Sequence, residues 1–244
     1  MGAGSGFQPA IASWSPVLES VQQAHVLVNS CRNSSRTSSR EGRSESEPER
    51  IIVARVSPPP DSDEPAGREL PVTEAARRWA EHLGRWAIPE EIVSEAPVSP
   101  WQHDRALFAV DVTLVLNTPA AEIARAVFPA GGGSVLDVGC GGGRGAMSLV
   151  PPAAHVIGFD QSAAMLEEFA RAAAAAGEPA MTVEGRWPDV AHLTPRADVV
   201  VCHHVAYNVA DIEPFLLALT EHARLAVVLV LPPRHPLSAW NDAW

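Results

Sequence analysis

The stretch VLDVGCGGG at residues 135–143 joins a short apolar run to a turn made almost entirely of glycine. Residues 144–150 continue with a helical pattern, so the stretch predicts a strand, a tight turn and the start of a helix. Glycine lets the backbone take positive φ and come close to a ligand, and the helix N-terminus is directed at the same place. Alone, the turn is compatible with a simple tight connection, and Gly141-x-Gly143-x-x-Ala146 also satisfies the dinucleotide fingerprint.

Two carboxylates beside this turn narrow the choice of ligand. Asp137 lies two residues before Gly139, where its charge repels a pyrophosphate and attracts an ammonium group. Asp160 ends the next predicted strand, where its carboxylate can accept hydrogen bonds from both hydroxyls of a ribose. A helix cap is the alternative role for Asp160, but Ser162 is already placed to cap that helix. The pair favours a cationic ligand with a ribose and no phosphates, and S-adenosylmethionine (SAM) fits this description.

The motifs VLDVGCGGG at 135–143 and GFDQSAAML at 158–166 resemble the first two motifs of the class I SAM-dependent methyltransferases. The resemblance covers roughly residues 134–231 and implies a Rossmann-like fold, a SAM cofactor and methyl transfer. It implies that Asp137 faces the amino group of SAM, that Gly139, Cys140, Gly141 and Gly143 pass along its methionine part, that Asp160 holds the ribose, and that Gln161 and Met165 flank the adenine.

The resemblance also brings the segment after the third predicted strand, Gly185-Arg186-Trp187, towards the edge of the adenine. The family often has an aspartate and a small residue there, so Arg186 and Trp187 depart from its pattern.

Two adjacent histidines follow the fourth predicted strand, where the family's chain lies beside the methionine moiety and opens towards the acceptor. His203 and His204 are candidates for a general base, and His203 also for a SAM contact, because an unperturbed imidazole pKa near ~6.5 suits proton removal at neutral pH. A structural hydrogen bond at the pocket wall is the alternative. We expect no metal site, since Cys202, His203 and His204 are adjacent and their side chains alternate in direction. Tyr207 is expected to pack or to make one hydrogen bond.

The chain beyond residue 131 alternates strands and helices, which predicts an α/β, Rossmann-like, doubly wound and mostly parallel sheet. The predicted strands are 135–138, 155–159, 180–184, 198–202 and 225–231, and the predicted helices are 144–150, 162–176 and 211–223. Residues 69–130 are expected to form a helical lid before this SAM-binding domain, with helices at 73–86, from 89 onwards, at 104–117 and at 120–128.

Residues 1–68 are predicted to be a disordered extension, because residues 30–46 are a Ser/Arg/Glu mixture and residues 57–63 are rich in proline. A hypothesis for this segment is that it is not native coding sequence and that translation starts at Val72.

Only five of the family's usual seven strands are visible in the sequence. The fifth, residues 225–231, is then an exposed apolar edge. We therefore expect a domain truncated at its C-terminus that self-associates through this strand. A SAM-binding remnant with impaired catalysis is the alternative to an active enzyme, and a nucleotide-dependent oxidoreductase is a third hypothesis.

Charge and composition indicate which acceptors and which cellular location to expect. The net charge is −11, and residues 69–244 hold eleven arginines against twenty-one acids, so no nucleic-acid substrate is expected and a small-molecule acceptor is favoured. The N-terminus has no signal-peptide pattern, and the longest apolar run, 225–231, is too short to cross a bilayer. Three scattered cysteines give no disulfide framework. We expect a cytoplasmic protein that does not act at a membrane.

Overall fold

A computed structural model of the chain describes residues 24–30, 49–56, 73–85, 87–97, 104–114, 117–232 and 235–236. The strands are β1 (Ala24–Ser30), β2 (Arg50–Val56), β3 (Gly133–Val138), β4 (Ala153–Asp160), β5 (Ala180–Glu184), β6 (Ala197–His203) and β7 (Ala223–Leu231). The α-helices are α1 (Glu74–Gly84), α2 (Glu90–Glu95), α3 (Pro119–Arg125), α4 (Arg144–Met147), α5 (Ala163–Ala175) and α6 (Ile212–His222). Single 3₁₀ turns lie at Arg105–Phe108, Ala191–Leu193 and Ala206–Asn208.

The strands form one seven-stranded sheet in the order β1-β2-β7-β6-β3-β4-β5. Neighbours from β7 to β5 are parallel, whereas β2 is antiparallel to both β1 and β7. Helices connect the parallel strands and cover both faces of the sheet. The predicted Rossmann-like, mostly parallel α/β fold is confirmed, and each of its five predicted strands is present with small changes at the ends.

The two further strands come from the segment that was predicted to be disordered, so that prediction is wrong for residues 24–30 and 50–56. In β2, the run from Ile51 to Ala54 is buried, with each side chain at most 4% exposed. This short run buries enough apolar surface to offset the ordering of its backbone. The Ser-rich stretch 31–46 and the proline-rich stretch 57–63, on which the prediction rested, lie outside the described residues.

Strand β7 is an interior strand, so the prediction of an exposed apolar edge is wrong. Residues Arg50 to Arg55 of β2 pair with Leu231 to Ala226 of β7. The apolar strand needs partners for its backbone N–H and C=O groups on both sides, and it finds them in a segment far away in the sequence. The argument for a truncated sheet and for self-association through this strand therefore loses its basis.

Side chains alternate between two apolar layers, one on each face of the sheet. Leu136, Cys202 and Leu229 belong to the layer that α1 and α6 cover. Val135, Val201 and Val230 belong to the layer that α3, α4 and α5 cover. Because all the parallel strands end at the same edge, the residues that follow β3, β4, β5, β6 and β7 are collected there.

Helix α1 packs onto α6, and Trp79 packs against the apolar layer on this face of the sheet. Thr73 caps the helix, since its Oγ1 accepts a hydrogen bond from the N–H of Ala76 at 3.2 Å. The Trp79 indole Nε1 donates to the carbonyl of Val209 at 2.7 Å, and the Thr73 N–H donates to Glu213 at 3.0 Å. Of the other aromatic residues in the predicted lid, Trp86 and Trp101 lie outside the described residues.

The predicted helix over residues 104–117 is wrong. The structure has only the 3₁₀ turn Arg105–Phe108 there, followed by extended and turn conformations. The Asp111 carboxylate accepts hydrogen bonds from both the N–H and the hydroxyl of Thr113. These local bonds compete with helical ones, which favours the turn. Within the described residues, no helix is both long and apolar enough to cross a membrane.

The pairing of β2 with β7 makes a direct prediction for stability. Ile52 is 1% exposed, so replacing it by alanine should lower the free energy of unfolding by roughly 2–5 kcal/mol. Arg55→Ala on the same strand is the matched control, because that side chain is exposed and its loss should change stability by less than ~0.5 kcal/mol. Urea denaturation followed by circular dichroism measures both. Equal midpoints for the two variants and the parent would show that β2 is not part of the folded sheet.

Candidate cofactor and acceptor site

The glycine turn between β3 and α4 has the conformation that its sequence predicts. Gly139, Gly141 and Gly143 have φ values of 72°, 51° and 92°, a region that other residues enter only with strain. The N–H groups of Gly139 and Cys140 both donate to the carbonyl of Phe159 at the end of β4, at 2.8 and 3.0 Å. The turn is thereby fixed to the neighbouring strand.

Close contacts on both sides explain why this turn lacks side chains. A Cβ on Gly139 would lie 2.3 Å from Val205, so the segment that follows β6 packs directly on the turn. A Cβ on Gly142 would lie 1.8 Å from the backbone oxygen of Phe108. The turn is therefore contacted by Phe108 on one side and by Val205 on another.

Asp137 is buried beneath the turn, on the face of the sheet that α4 covers. Its Oδ2 accepts a hydrogen bond from the N–H of Ala146 at 2.9 Å, and a Cβ on Gly145 would lie 2.7 Å from the same oxygen. Burial raises the pKa of Asp137 to about 7; the hydrogen bond from Ala146 opposes this rise, and the charge of Asp160 adds to it. Among the described residues, no ion pair neutralises this carboxylate.

Asp160 lies at the end of β4 and is half-buried. Its Oδ2 accepts from the N–H of Gly141 at 2.9 Å, and its Oδ1 accepts from the N–H of Ser162 at 3.0 Å. Each oxygen keeps a lone pair for a further donor, so the carboxylate can also accept hydrogen bonds from two hydroxyls. Gln161 is exposed next to it and Met165 is half-buried one turn into α5, so their predicted contacts with adenine remain predictions.

The residues after β5 lie in two different environments: Gly185 and Arg186 lie near Asp160, and Trp187 lies in the core. The Gly185 N–H donates to the carbonyl of Asp160 at 3.0 Å, which keeps this backbone beside Asp160, and Arg186 is exposed. Trp187 is 6% exposed; its indole N–H donates to the carbonyl of Phe215 at 3.2 Å. A predicted contact between its side chain and adenine does not fit this position, because its ring packs in the core edge-on against Phe159.

His203 and His204 end β6 in different environments. Burial, and then the charge of His204, lowers the pKa of His203 to about 4, and its buried Nε2 has no hydrogen-bond partner among the described residues. His204 is 46% exposed, and its Nε2 lies 3.3 Å from Oε1 of Glu49. Tyr207 follows in the next turn, with its ring edge-on to His235 at a centroid distance of 5.5 Å.

Cysteines take no reactive part in this arrangement. Cys140 lies in the turn with its Sγ 3.6 Å from the carbonyl oxygen of Gly141. Burial raises the pKa of the Cys140 thiol above its usual range, and burial has the same effect on the pKa of Cys202. Both therefore remain protonated thiols. Within the described residues, no group of His, Cys, Asp or Glu side chains has the arrangement of a metal site.

Residues 104–114 form the wall above the turn. Arg105 connects this segment to α5, since its Nη1 lies 3.1 Å from Glu167 and its Nε lies 3.8 Å from Glu168. Leu107 and Phe108 are 78% and 40% exposed, so the wall presents apolar surface close to the turn.

Sequence reasoning missed three contributors to this site. Phe108 lies in the predicted lid, and its backbone oxygen is where a Cβ on Gly142 would lie. Val205 follows the two histidines and packs on Gly139. Glu49 fell in the segment predicted to be disordered. For Glu49 the only available signal was the apolar run that follows it, and this run does not identify which strand it pairs with.

Residues 135–226 match the sequence model of a family described as a methyltransferase domain. The match begins in β3, contains the glycine turn and Asp160, and ends in β7. Together with the fold, it defines this part of the chain as a Rossmann-like methyltransferase domain. The match supports the class I SAM-dependent methyltransferase family and the SAM cofactor that the two motifs of this stretch predict.

Several solved structures are similar to the chain. A SAM-dependent methyltransferase from Thiobacillus denitrificans in complex with S-adenosyl-L-homocysteine is 22% identical, with 45% of this chain and 46% of that chain covered and a TM-score of 0.34. A SAM-dependent methyltransferase from Clostridium acetobutylicum ATCC 824 is 20% identical, with 37% and 38% covered and a TM-score of 0.31. A structure concerned with the conversion of a disulfide bond into a thioacetal group during echinomycin biosynthesis is 24% identical, with 47% and 48% covered and a TM-score of 0.39.

The chain spans less than half of the length of these three structures. No curated protein sequence matches the chain. The family match over residues 135–226, rather than any one of the structures, identifies the domain.

The side chains present fit SAM in charge and in hydrogen-bonding capacity. Asp137 is a buried carboxylate without a cationic partner among the described residues, as an ammonium group requires. Asp160 keeps lone pairs for ribose hydroxyls, and the backbone of the turn and of the following helix is hydrogen-bonded to both carboxylates.

The titration of Asp137 predicts a pH dependence of cofactor binding. The carboxylate attracts an ammonium group only when ionised, so SAM affinity should rise by up to ~10-fold per pH unit below the pKa of Asp137 near 7 and level off above it. Asp137→Asn should bind SAM weakly and with little pH dependence. Glu178→Gln is the matched control, since Glu178 precedes β5 at the opposite edge of the sheet. Isothermal titration calorimetry from pH 5.5 to 8.5 measures the effect, and a flat wild-type profile would contradict it.

The raised pKa of Asp137 also affects stability, but in the opposite direction: SAM affinity should rise with pH, whereas the free energy of unfolding should fall. The folded pKa of Asp137 is raised above its ordinary value of 3.8, so the folded chain binds more protons than the unfolded chain between these values. The associated stability is fully present below pH ~4 and is lost as pH rises through about 7. The Asp137→Asn variant should lack this component of the pH dependence.

Proposed function

We propose that the chain is an enzyme that transfers the methyl group of SAM to a small-molecule acceptor. The observation that supports it best is the convergence of Asp137 and Asp160 on one glycine turn within a methyltransferase domain. The two carboxylates match the ammonium and the ribose of SAM. SAM supplies an activated methyl group on a sulfonium, so the work of the chain is to bind, to orient and to exclude water.

The proposed acceptor lies between residues 104–114 and the segment that follows β6. Leu107 and Phe108 offer apolar surface on one side, and His204 and Tyr207 offer polar groups on the other. A small molecule with an apolar part and a nucleophilic group suits such surroundings. We propose that residues 69–130 act as a lid, for which the contact of Phe108 with the turn is the support. The acidic balance of the chain, −11 overall, disfavours a nucleic acid.

The proposed place of action is the cytoplasm. The support is that Cys140 and Cys202 are free, buried thiols, as a reducing compartment allows. The alternative of a catalytically impaired remnant rested on missing strands, and the pairing of β7 with β2 removes that reason. A nucleotide-dependent oxidoreductase is disfavoured by Asp137, whose charge repels a pyrophosphate.

Calorimetry with SAM, S-adenosylhomocysteine and NAD provides the first test. We expect binding of the first two and none of NAD. Asp160→Ala should weaken SAM binding by roughly 10–100-fold, because a hydrogen bond to a charged group is worth ~1.5–3 kcal/mol. Glu221→Ala is the control, since Glu221 is exposed on α6 and should not affect affinity. Binding of NAD with similar affinity would overturn the assignment.

A methyl-release assay provides the second test. The panel should contain matched pairs of acceptors, such as a phenol with its thiophenol and an alcohol with its amine. Turnover by the wild-type chain and its loss in Asp160→Ala are the expected results. SAM binding without turnover of any acceptor in the panel would favour a binding protein over an enzyme.

A further inference from the structure

We propose that Glu49 positions His204 as the general base of the reaction, and that the acceptor is therefore a hydroxyl or a protonated amine. The inference rests on the proposed function and adds to it a substrate class and a residue from outside the methyltransferase domain. It begins from one contact: Oε1 of Glu49 lies 3.3 Å from Nε2 of His204. No other ion pair in the described part of the chain involves a residue before Thr73.

The sheet topology brings the two residues together. Strand β2 is antiparallel to β7, so its first residue, Arg50, pairs with the last residue of β7, Leu231. His203 pairs with Val230 on the other side of β7. Glu49 and His204 therefore emerge at the same edge of the sheet, separated only by the end of β7.

The backbone of His204 turns its ring towards Glu49. His204 has φ of 59°, and it is the only residue other than glycine with positive φ among the described residues. Its N–H is held by the carbonyl of Val230 at 2.9 Å. Such a conformation is uncommon and persists where the surroundings determine it, often at functional sites. It interrupts the alternation of β6, so His204 does not simply continue the pattern of the strand.

His204 is the neighbour in the chain of a residue that contacts the glycine turn. Val205, the next residue, packs so closely on Gly139 that a Cβ there would lie 2.3 Å away. His204 is thus one residue from a contact with the turn along which the methionine part of SAM is expected to pass. Because the ring is 46% exposed, it can also exchange a proton with solvent.

The contact assigns a different task to each ring nitrogen. The nitrogen beside a carboxylate carries the proton in the neutral imidazole, which leaves the other nitrogen as the base. With Glu49 beside Nε2, the free lone pair is on Nδ1. The Glu49 carboxylate then balances the charge of the ring once it has accepted a proton, in the way that an aspartate supports a histidine in other enzymes.

The methyl group moves to the acceptor, and the acceptor gives up a proton. The acceptor oxygen or nitrogen forms a bond to the methyl group that SAM supplies, and the electron pair of the broken sulfur–carbon bond remains on sulfur as a neutral thioether. The proton of the acceptor passes to Nδ1 of His204, and afterwards to solvent. A thiol acceptor has less need of this base, since a thiol ionises more readily than a hydroxyl.

His203 is the weaker candidate for this task. With its pKa lowered to about 4 by burial, its conjugate acid is too strong to hold a proton taken from a hydroxyl at neutral pH. Its buried Nε2, unpartnered among the described residues, suits a hydrogen bond to a bound ligand instead.

The first experiment reads the tautomer of His204 and needs neither SAM nor an acceptor. Two-dimensional ¹⁵N NMR at pH 8.5, on the full chain with labelled histidine, should show Nε2 protonated and Nδ1 unprotonated in the parent. Glu49→Ala should give a mixture of tautomers, and Glu90→Ala, an exposed glutamate on α2, should not. An unchanged tautomer in Glu49→Ala would overturn the positioning role. Loss of the proposed activity alone would not alter this readout.

The second experiment uses the fastest hydroxyl or amine acceptor of the panel and its matched thiol. Glu49→Ala should lower kcat by roughly 10-fold for the hydroxyl or amine, as part of the ~10²–10⁴-fold that a general base contributes, and by less than ~2-fold for the thiol, with KM nearly unchanged. Glu49→Asp should recover part of the rate. In a His204→Ala background the Glu49→Ala change should have no further effect, because the two residues act as a unit. Equal losses for both acceptors, additive effects, or turnover of thiols alone would overturn the proposal. Urea denaturation shows whether each variant is folded.

Discussion

The hydrogen bonds between β2 and β7 determine how the rest of the molecule is organised. Strand β7 is apolar on both faces and lies next to β6, so its outer N–H and C=O groups need partners that water would otherwise supply. Arg50 to Arg55 provide them in antiparallel register. The pairing gives β7 a partner on its outer side, buries the run Ile51–Ala54, and brings Glu49 to the edge of the sheet at which the glycine turn lies.

The antiparallel strands of the sheet stand at a different place in the sequence from that implied by the resemblance. The resemblance implies seven strands, with an antiparallel pair at one edge that follows the parallel strands. In this chain the antiparallel strands β1 and β2 precede the parallel ones and lie beside β7. The same layered arrangement is therefore reached with the pair at the other end of the sequence. One consequence is that residues before the domain match at 135–226 reach the edge of the sheet at which the glycine turn lies.

Local patterns in the sequence were sufficient to predict the glycine turn and the elements on either side of it. The turn at 139–143, the strand before it and Asp160 after it are predicted by spacing and residue type, because each is defined by backbone conformation within a few residues. The pairing of β2 could not be predicted in this way, since Ile51–Ala54 reveals a strand but not its partner. The sequence also did not show in which direction a side chain points. Trp187 belongs to the segment 185–187 that was expected to approach the adenine, yet its ring packs in the core against Phe159. At 104–117 the side chain of Asp111 bonds to its own backbone neighbourhood, which helix periodicity does not detect.

The two histidines at the end of β6 show how one strand terminus can supply different chemistry at adjacent positions. His203 continues the alternation of the strand, so its ring remains within the protein, where burial makes protonation costly and lowers its pKa to about 4. His204 leaves the strand through a left-handed backbone conformation, so its ring reaches solvent and a carboxylate. A neutral hydrogen-bonding group and a group that can take up and release a proton are therefore set side by side beyond the glycine turn. The difference between them depends on a single change in backbone direction, which the bond from the His204 N–H to Val230 of β7 maintains. Since β7 is itself held in place by β2, the pairing that extends the sheet also supports the backbone conformation of His204.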